Sequence, residues 1–571
     1  MKKYSPLAFL FSLLFAVSAY AGEGRYTLPL TGGGWSLWLD KEASWQNDRL
    51  YLPHEITDLS LLPVNTPTGG WQALNDNLDA VSVEVPGTVE EYLTTSDNPR
   101  PEDFKGVSWW YRKITIPADQ ANKRHLIYFE SVRMRAEVYL DGKLVAYDLI
   151  GETPFHVDIT KEAKPGTEQL LAVRVTNPGG NFHWQDFDIQ KWGEYNIPPA
   201  RSFSGIIGRV KLESVNPVFI SDIYMQNTPE PTKVNAIISF TNETPSSVKQ
   251  DVELTVSEKN RPDKVVFRQL LKHVSFPPGK REMMIPVSVS DAKLWDLDTP
   301  ELYTCNIQIK KGKNTLDRDK KNFGFRWFSA EGVGTDAVLR LNGRRVMLRS
   351  AISWGYFPVT GLIATPEMAE KQVLTAKKLG LNMLNFHRCI GSPVVLEKTD
   401  ELGLLYYEEP GSFHSANHDP FIRTIVNEKL KRMVHRDRSH PSLIIFNLIN
   451  EFGGPLSRDK ELVAKRMNDM REAHAVDPGR IMTFTSGWAG SEDREEDSKS
   501  HMLPFDTTLY RKGWFDNHRA GGPETYVESY YKGPKDNIMY TTNRKEIYVR
   551  GEEGAISTPP RIQMIYNQIS N

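Results

Sequence analysis

Cysteine is nearly missing: the 571-residue chain has two, Cys305 and Cys389, far apart in the sequence. A disulfide framework is thereby excluded, and each domain must stand on its own apolar core. Excess positive charge is missing too. The 70 Lys and Arg stand against 72 Asp and Glu, a formal net charge of −2, and no basic block marks a phosphate-backbone footprint, so nucleic acid is not an expected partner. Beyond the N-terminus there is no apolar run of the roughly 20 residues needed to span a bilayer. Nor does a Gly-rich phosphate loop or a dinucleotide fingerprint follow any apolar strand, and no cofactor is expected.

The N-terminus carries Lys2-Lys3, the apolar run Leu7 to Val17 and Ala19-Tyr20-Ala21. This is the charged, hydrophobic and small-residue order of a signal peptide, with cleavage expected before Gly22, so residues 1–21 are read as a leader. The mature chain is expected to be periplasmic or extracellular and free of the membrane. Its length, against about 100 to 200 residues per domain, predicts a multidomain protein. Aromatics are 11% of the chain, with 13 Trp, which suits sugar stacking and large β-rich cores equally.

Residues 22–215 read as short alternating or aromatic runs, such as Trp109-Trp110-Tyr111 and Ala136 to Leu140, the latter broken at Asp141-Gly142. An antiparallel β-sandwich is predicted, with a hairpin at Asp141-Gly142 because that pair accepts positive φ. Residues 216–327, with Ala236 to Phe240 and Asp251 to Val256, have the length and spacing of one immunoglobulin-like sandwich. From 328 to 571 strands alternate with helices. The strands are placed at Val346 to Leu348, Asn382 to Phe386, Leu404 to Tyr407, Leu443 to Asn447, Ile481 to Thr485 and Ile547 to Val549, and the clearest helices at Pro366 to Lys378 and Phe421 to Val434. A parallel (β/α)8 barrel is preferred to a doubly wound sheet.

In such a barrel the chemistry gathers where the strands end. Four ends stand out: Asn385-Phe386-His387-Arg388, Glu408-Glu409, Asn450-Glu451 and Gly551-Glu552-Glu553. Converging carboxylates suit glycosidic bond cleavage, one protonating the leaving oxygen while another attacks or stabilises the oxocarbenium-like centre. A metal site would draw on His387, His414 and His418, but the last two lie in a Ser, Asn and Pro-containing loop, and no metal is predicted.

The run Arg436 to Glu451 (RDRSHPSLIIFNLINE) resembles the RDxNHPSxxxWxxxNE signature of glycoside hydrolase family 2, with Ser439 and Phe446 as departures. The stretch Asp400 to Pro410 is similar to that family's third-strand motif, and Gly551 to Ala555 can be laid on its Ser-Glu-Tyr-Gly-Ala nucleophile motif. The second-strand motif departs more. Segments Gly151 to Phe155 and Ser204 to Val210 resemble its sugar-binding sandwich, and Leu294 to Tyr303 with Phe323 to Arg326 its immunoglobulin-like module.

The resemblance implies a jelly-roll sandwich, an immunoglobulin-like sandwich and a TIM barrel. It also implies a retaining, exo-acting hydrolase of the β-galactosidase, β-glucuronidase or β-mannosidase kind that removes terminal sugars from oligosaccharides or polysaccharide-derived glycans. Glu451 would be the acid/base and Glu552 the nucleophile, with Glu553 as fallback, their carboxyl groups about 5 to 5.5 Å apart. Asn450 would meet the sugar 2-hydroxyl and Glu409 the substrate side, with His387 and Arg388 from the second strand. Tyr510 would hydrogen-bond the nucleophile, and Trp354, Trp488 and Trp514 would stack on pyranose faces. A loop at 177–187 would wall the inner subsites. Only 19 residues follow Glu552, so the barrel is expected to stop before an eighth strand. A non-catalytic carbohydrate-binding remnant is therefore the rival reading, and a purely structural surface protein a third.

Overall fold

The computed structural model describes residues 20–21, 24–76, 79–93, 104–179, 189–198, 203–357, 361–413, 419–452, 458–487, 501–504, 513–516 and 546–549. Glu552, Glu553, Tyr510, Trp488, His414 and His418, and most of the loop expected at 177–187, lie outside the described residues.

The N-terminal unit packs a five-stranded antiparallel sheet on a six-stranded one. Alternation puts Trp35, Trp110, Phe129, Ile127, Val138 and Val173 between them as a continuous apolar layer. The hairpin at Asp141-Gly142 joins strands Arg135–Leu140 and Lys143–Asp148, with φ of 48° and 80° at the two turn residues, as a primed two-residue turn requires. The next unit is a smaller sandwich of three and four antiparallel strands between Val218 and Phe323, closed around Ile238, Phe240, Leu254, Val256 and Ile307. Arg25 ties the two units together: its guanidinium meets Asp317 at 2.9 Å and Glu213 at 3.3 Å and donates to the Ile220 carbonyl at 2.6 Å.

The third unit is the parallel one. Strands β1 (Ser350–Ser353), β2 (Met383–Phe386), β3 (Leu405–Glu408), β4 (Leu443–Asn450) and β5 (Ile481–Ser486) pair in sequence order, each parallel to the next. Between them run helices α1 (Pro366–Lys378), α2 (Pro393–Leu402), α3 (Pro420–Asp437) and α4 (Lys460–His474). Thr365, Asp419 and Asp459 cap α1, α3 and α4 by accepting first-turn N–H groups, and Pro stands at the start of α1, α2 and α3. A further parallel pair, β6 (Trp514–Asp516) and β7 (Ile547–Val549), lies beyond β5. Strand β4 is buried along its whole length, as expected for a strand covered on both faces.

The first barrel strand is not at Val346 to Leu348 as its hydrophobicity suggests, but at Ser350–Ser353. Val346 instead continues the preceding hairpin through its N–H to the Leu339 carbonyl. The Asn382 side chain holds the next stretch, donating to the Met347 carbonyl and accepting from the Arg349 N–H. Val346 and Leu348 pack under the sheet with Trp295, Tyr407 and Trp514. Trp514, expected among the sugar-stacking residues, is thus a core residue at 2% exposure.

The immunoglobulin-like unit grips the barrel at two places. Trp295 donates its indole N–H to the Asp400 carbonyl at 2.8 Å, and the Tyr224 hydroxyl donates to Asp477 at 2.5 Å. At the first seam Gly403 ends α2 with a φ of 73°, and a Cβ there would stand 2.2 Å from the Leu297 carbonyl oxygen. Left-handed strain on an L-residue alone costs about 1–2 kcal/mol, and the clash adds to it. Gly403→Ala is therefore expected to lower stability by at least about 2 kcal/mol, read as a reduced urea midpoint; an unchanged midpoint would contradict this seam.

Candidate active site

The site is organised around Glu409, the first residue beyond β3, with no exposed surface. Its Oε1 accepts the Ser486 hydroxyl at 2.6 Å and faces the Asn447 amide at 3.5 Å; its Oε2 accepts the Arg388 backbone N–H at 3.0 Å and lies 3.8 Å from His387 Nδ1. These partners come from the ends of β2 and β5 and from within β4. The adjacent Glu408 points the other way. Its Oε1 accepts the Gly391 N–H at 2.7 Å and stands 3.4 Å from Arg436, whose guanidinium is held bidentate by Asp437. The pleat, which turns consecutive residues to opposite faces, is what separates the pair.

Arg388 joins three site residues at once. Its φ of 53° is a left-handed conformation uncommon outside glycine. From there its N–H meets Glu409, its Nε donates to Asn450 Oδ1 at 2.8 Å, and its terminal nitrogen reaches Glu451 Oε2 at 3.4 Å. Phe413 stacks under the guanidinium at 3.9 Å and Trp354 lies at 5.7 Å, its ring edge-on to His387 at 4.7 Å. Asn450 also donates to the Ser486 hydroxyl at 3.0 Å. Its amide is therefore oriented unambiguously, oxygen toward Arg388 and nitrogen toward Ser486. Glu451 likewise has a positive φ, 50°, and is fixed by its N–H to the Ser486 carbonyl at 2.8 Å. It is the one carboxylate of this group with residual exposure, at 9%.

Sequence reasoning missed Ser486, Asn447, Phe413 and Asp516. Ser486 is the polar residue that ends the apolar run of β5, the same signal that picked out Glu409 and Asn450. Asn447 lies inside β4, where its amide bonds the Ser486 hydroxyl at 3.2 Å and its carbonyl accepts from Thr483 at 2.9 Å. Asp516 ends β6 and accepts the Gly487 N–H at 2.9 Å, and its register partner in β7 is Val549. Burial, with the charges of Glu409 and Asp516, raises the pKa of the Tyr407 hydroxyl well above its ordinary value. Among the described residues no group of His, Cys, Asp and Glu is arranged to hold a metal ion.

Most of the run Arg436 to Glu451 does not touch this mouth. Ser439 accepts the Met225 N–H at 3.2 Å, His440 bonds Asp400 at 2.5 Å, and Ser442 donates its N–H to Asp400 at 3.0 Å. Ser439 thus fastens the barrel to the second sandwich, His440 and Ser442 hold α2 within the barrel, and of the run Asn447 and the final Asn-Glu pair enter the site.

Two β-sandwiches are followed by a parallel barrel unit whose strand ends bring Glu409 and Glu451 into one hydrogen-bonded net. The model of the glycosyl hydrolases family 2 sugar binding domain matches residues 73–197, the model described as glycosyl hydrolases family 2 matches 218–326 and that family's TIM barrel domain model matches 336–538. The chain belongs to glycosyl hydrolase family 2. It is 25% identical over 519 residues to a putative β-glucuronidase of Formosa agariphila, covering 86% of this chain and 54% of that one. It is 28% identical over 385 residues to a β-galactosidase of Thermoanaerobacter pseudethanolicus, covering 67% and 49%. The chain thus spans about half the length of these curated relatives. Among solved structures, Bacteroides uniformis β-glucuronidase 2 superposes with a TM-score of 0.62 at 20% identity, over 83% of this chain and 54% of that one. A β-glucuronidase from Ruminococcus gnavus superposes with the same TM-score, 0.62, over 83% and 74%. At this identity the likeness establishes the fold.

Two outcomes follow. Ser486→Ala removes the 2.6 Å bond to a fully buried carboxylate, which is expected to cost about 1–3 kcal/mol, measured by chemical unfolding. For Glu408, burial first and then the Asp437 charge raise the pKa well above the ordinary 4.5. The folded protein therefore holds a proton that the unfolded chain releases, and this contribution to stability is complete below about pH 4.5 and is lost as pH rises toward the raised value. Glu408→Gln is expected to become more stable relative to wild type as pH increases from 5 to 8; a constant difference across that range would contradict a raised pKa.

Proposed function

We propose that the chain is a retaining, exo-acting glycoside hydrolase that removes terminal sugars from glycans through a covalent glycosyl-enzyme intermediate. Glu451 serves as acid/base and Glu552 as nucleophile. The observation that carries this reading is the single hydrogen-bonded net running Glu409–Ser486–Asn450–Arg388–Glu451, which ties the acid/base candidate, at 9% exposure, to a carboxylate with no exposed surface. A general acid must meet the leaving oxygen at hydrogen-bond distance, and Glu451 is the carboxylate that the strand end presents to solvent. Strand β7 supports the partner assignment. It ends at Val549 beside Asp516, whose carboxylate binds the turn after β5, and Glu552 is three positions further along the chain.

In the first half of the reaction Glu451 would give its proton to the glycosidic oxygen as Glu552 attacks the anomeric carbon; in the second it would take a proton from the incoming water. Asn450, immobilised from both ends of its amide, is placed to read a sugar hydroxyl with its remaining carbonyl lone pair. The names of the relatives point to a β-glucuronide or β-galactoside as the terminal sugar. The leader at residues 1–21 supports export, to the periplasm or the outside, where polymeric glycans are met.

The test is hydrolysis of a panel of nitrophenyl β-glycosides by the purified chain, beside Glu451→Gln and Glu552→Gln. Turnover of one sugar is expected, reduced by about 10²–10⁴ in each variant, with the anomeric configuration retained in the product. A folded wild-type chain inert toward every sugar would overturn the reading in favour of a non-catalytic carbohydrate-binding protein, and variants as fast as wild type would overturn the assignment of Glu451 and Glu552.

A further inference from the structure

Ser486, the last residue of β5, is buried at 6% exposure, and its hydroxyl has one proton to give. Glu409 Oε1 takes it at 2.6 Å. The Tyr407 phenol also reaches this hydroxyl, but a neutral oxygen is the weaker acceptor beside a carboxylate. With its proton directed to Glu409, Ser486 accepts from the two amides that meet it, Asn447 Nδ2 at 3.2 Å and Asn450 Nδ2 at 3.0 Å. Each amide is fixed independently at its other end: the Asn447 oxygen accepts the Thr483 hydroxyl at 2.9 Å, and the Asn450 oxygen accepts Arg388 Nε at 2.8 Å. The bond directions agree from both ends, so the charge of Glu409 is passed through one hydroxyl into the orientation of two side chains.

For Asn450 this decides which atom can meet a substrate. Both contacts of its Nδ2 are with Ser486, the hydroxyl at 3.0 Å and the carbonyl at 3.4 Å, while Oδ1 keeps a second lone pair beyond the one given to Arg388. Asn450 therefore offers an acceptor, and what it can recognise is a group with a proton to donate, such as a sugar hydroxyl. A reversed amide would set its NH2 against the Arg388 Nε–H and its oxygen against a hydroxyl whose proton is already given to Glu409. An acceptor held in place in advance needs no reorientation when its hydrogen bond tightens in the transition state.

We propose that Ser486 is a positioning residue for hydrolysis: its hydroxyl, directed by Glu409, locks Asn450 with the carbonyl oxygen toward the substrate, and through Asn450 it sets how strongly one hydroxyl of the terminal sugar contributes to the rate. The inference rests on the proposed reading of this mouth as the sugar-cleaving site. It also places Glu409, which has no exposed surface, behind Asn450, acting on the sugar through two intervening side chains instead of by contact. Ser486 holds Glu451 as well, but through its backbone carbonyl, which a side-chain substitution leaves in place.

The test uses the full chain with nitrophenyl β-glucuronide, nitrophenyl β-galactoside and their monodeoxy analogues. The quantity read is the ratio of kcat/KM between a glycoside and its deoxy analogue, which does not depend on how much of a preparation is folded. In wild type the loss of one hydroxyl is expected to lower kcat/KM at least about tenfold, and Asn450→Ala identifies that hydroxyl by abolishing the ratio. Ser486→Ala is expected to shrink the same ratio to about two- to threefold by slowing the parent glycoside more than the deoxy analogue, and Glu409→Gln to do likewise. In the double variant Ser486→Ala/Asn450→Ala the ratio is expected to equal that of Asn450→Ala alone. A ratio that Ser486→Ala leaves unchanged, or the lack of any ratio that responds to Asn450→Ala, would overturn the positioning role; a ratio unchanged in Glu409→Gln would overturn its direction by Glu409. Failure of the catalytic reading would appear differently, as absence of turnover in wild type. The same comparison is then made with dissociation constants from calorimetry. Discrimination lost in Ser486→Ala would support the positioning role without catalysis, and discrimination unchanged there, or glycosides that do not bind at all, would overturn it.

Discussion

A carboxylate with no exposed surface needs donors, and Glu409 finds them only where four strands come together. Its hydrogen bonds to Ser486 and to the Arg388 N–H, with His387 close by, connect the carboxyl ends of β2, β3 and β5, and Asn447 inside β4 joins them. An uncompensated charge at that depth would cost several kcal/mol, so the ends of those strands are held in one register relative to one another. Everything that faces the mouth depends on this: Asn450 is oriented by the same Ser486 hydroxyl, and Glu451 by the carbonyl of that residue.

The two neighbouring glutamates show how one motif can serve two purposes. Glu408 and Glu409 differ in chemistry not at all, yet the pleat sends the first into a paired arrangement with Arg436 and Asp437 behind the sheet and the second into the site. The run from Arg436 to Glu451 divides the same way. Its beginning binds Glu408, and its middle binds Asp400 of α2 and Met225 of the second sandwich, while Asn447 and the final Asn-Glu pair meet the site. A long signature in the chain is thus mostly a record of how the barrel is braced within itself and against the second sandwich so that a few residues are delivered to the right place.

Helix α3 extends that logic to the first sandwich. Arg432 pairs with Asp148 at 2.7 Å and Lys429 with Glu152, both deep in the seam, where ion pairs are costly to bury and gain mainly in specificity of docking. The sandwich is thereby set against the barrel face with Arg133 and Glu152 overlooking a cavity that Arg388 also lines.

Much of this was open to reading from the chain alone, because hydrophobic period and strand-end polarity are local properties. The order of two sandwiches and a parallel barrel, the Asp141-Gly142 hairpin, helix α1 and the choice of Asn450, Glu409 and Arg388 as residues at strand ends all came from patterns a few residues long. What local pattern cannot report is which neighbour a residue meets. The apolar triplet Val346 to Leu348 was indistinguishable from a strand until Asn382 claimed its backbone; Trp514 looked like any exposed aromatic until the sheet closed over it; and Ser486, a plain serine in the sequence, became the hub of the site because residues 36, 39 and 77 positions away fold against its hydroxyl. The sequence by itself determined which segments become strands and which side chains stand at their ends. The tertiary structure alone decided which of those ends share hydrogen bonds, since that depends on contacts between residues far apart in the chain.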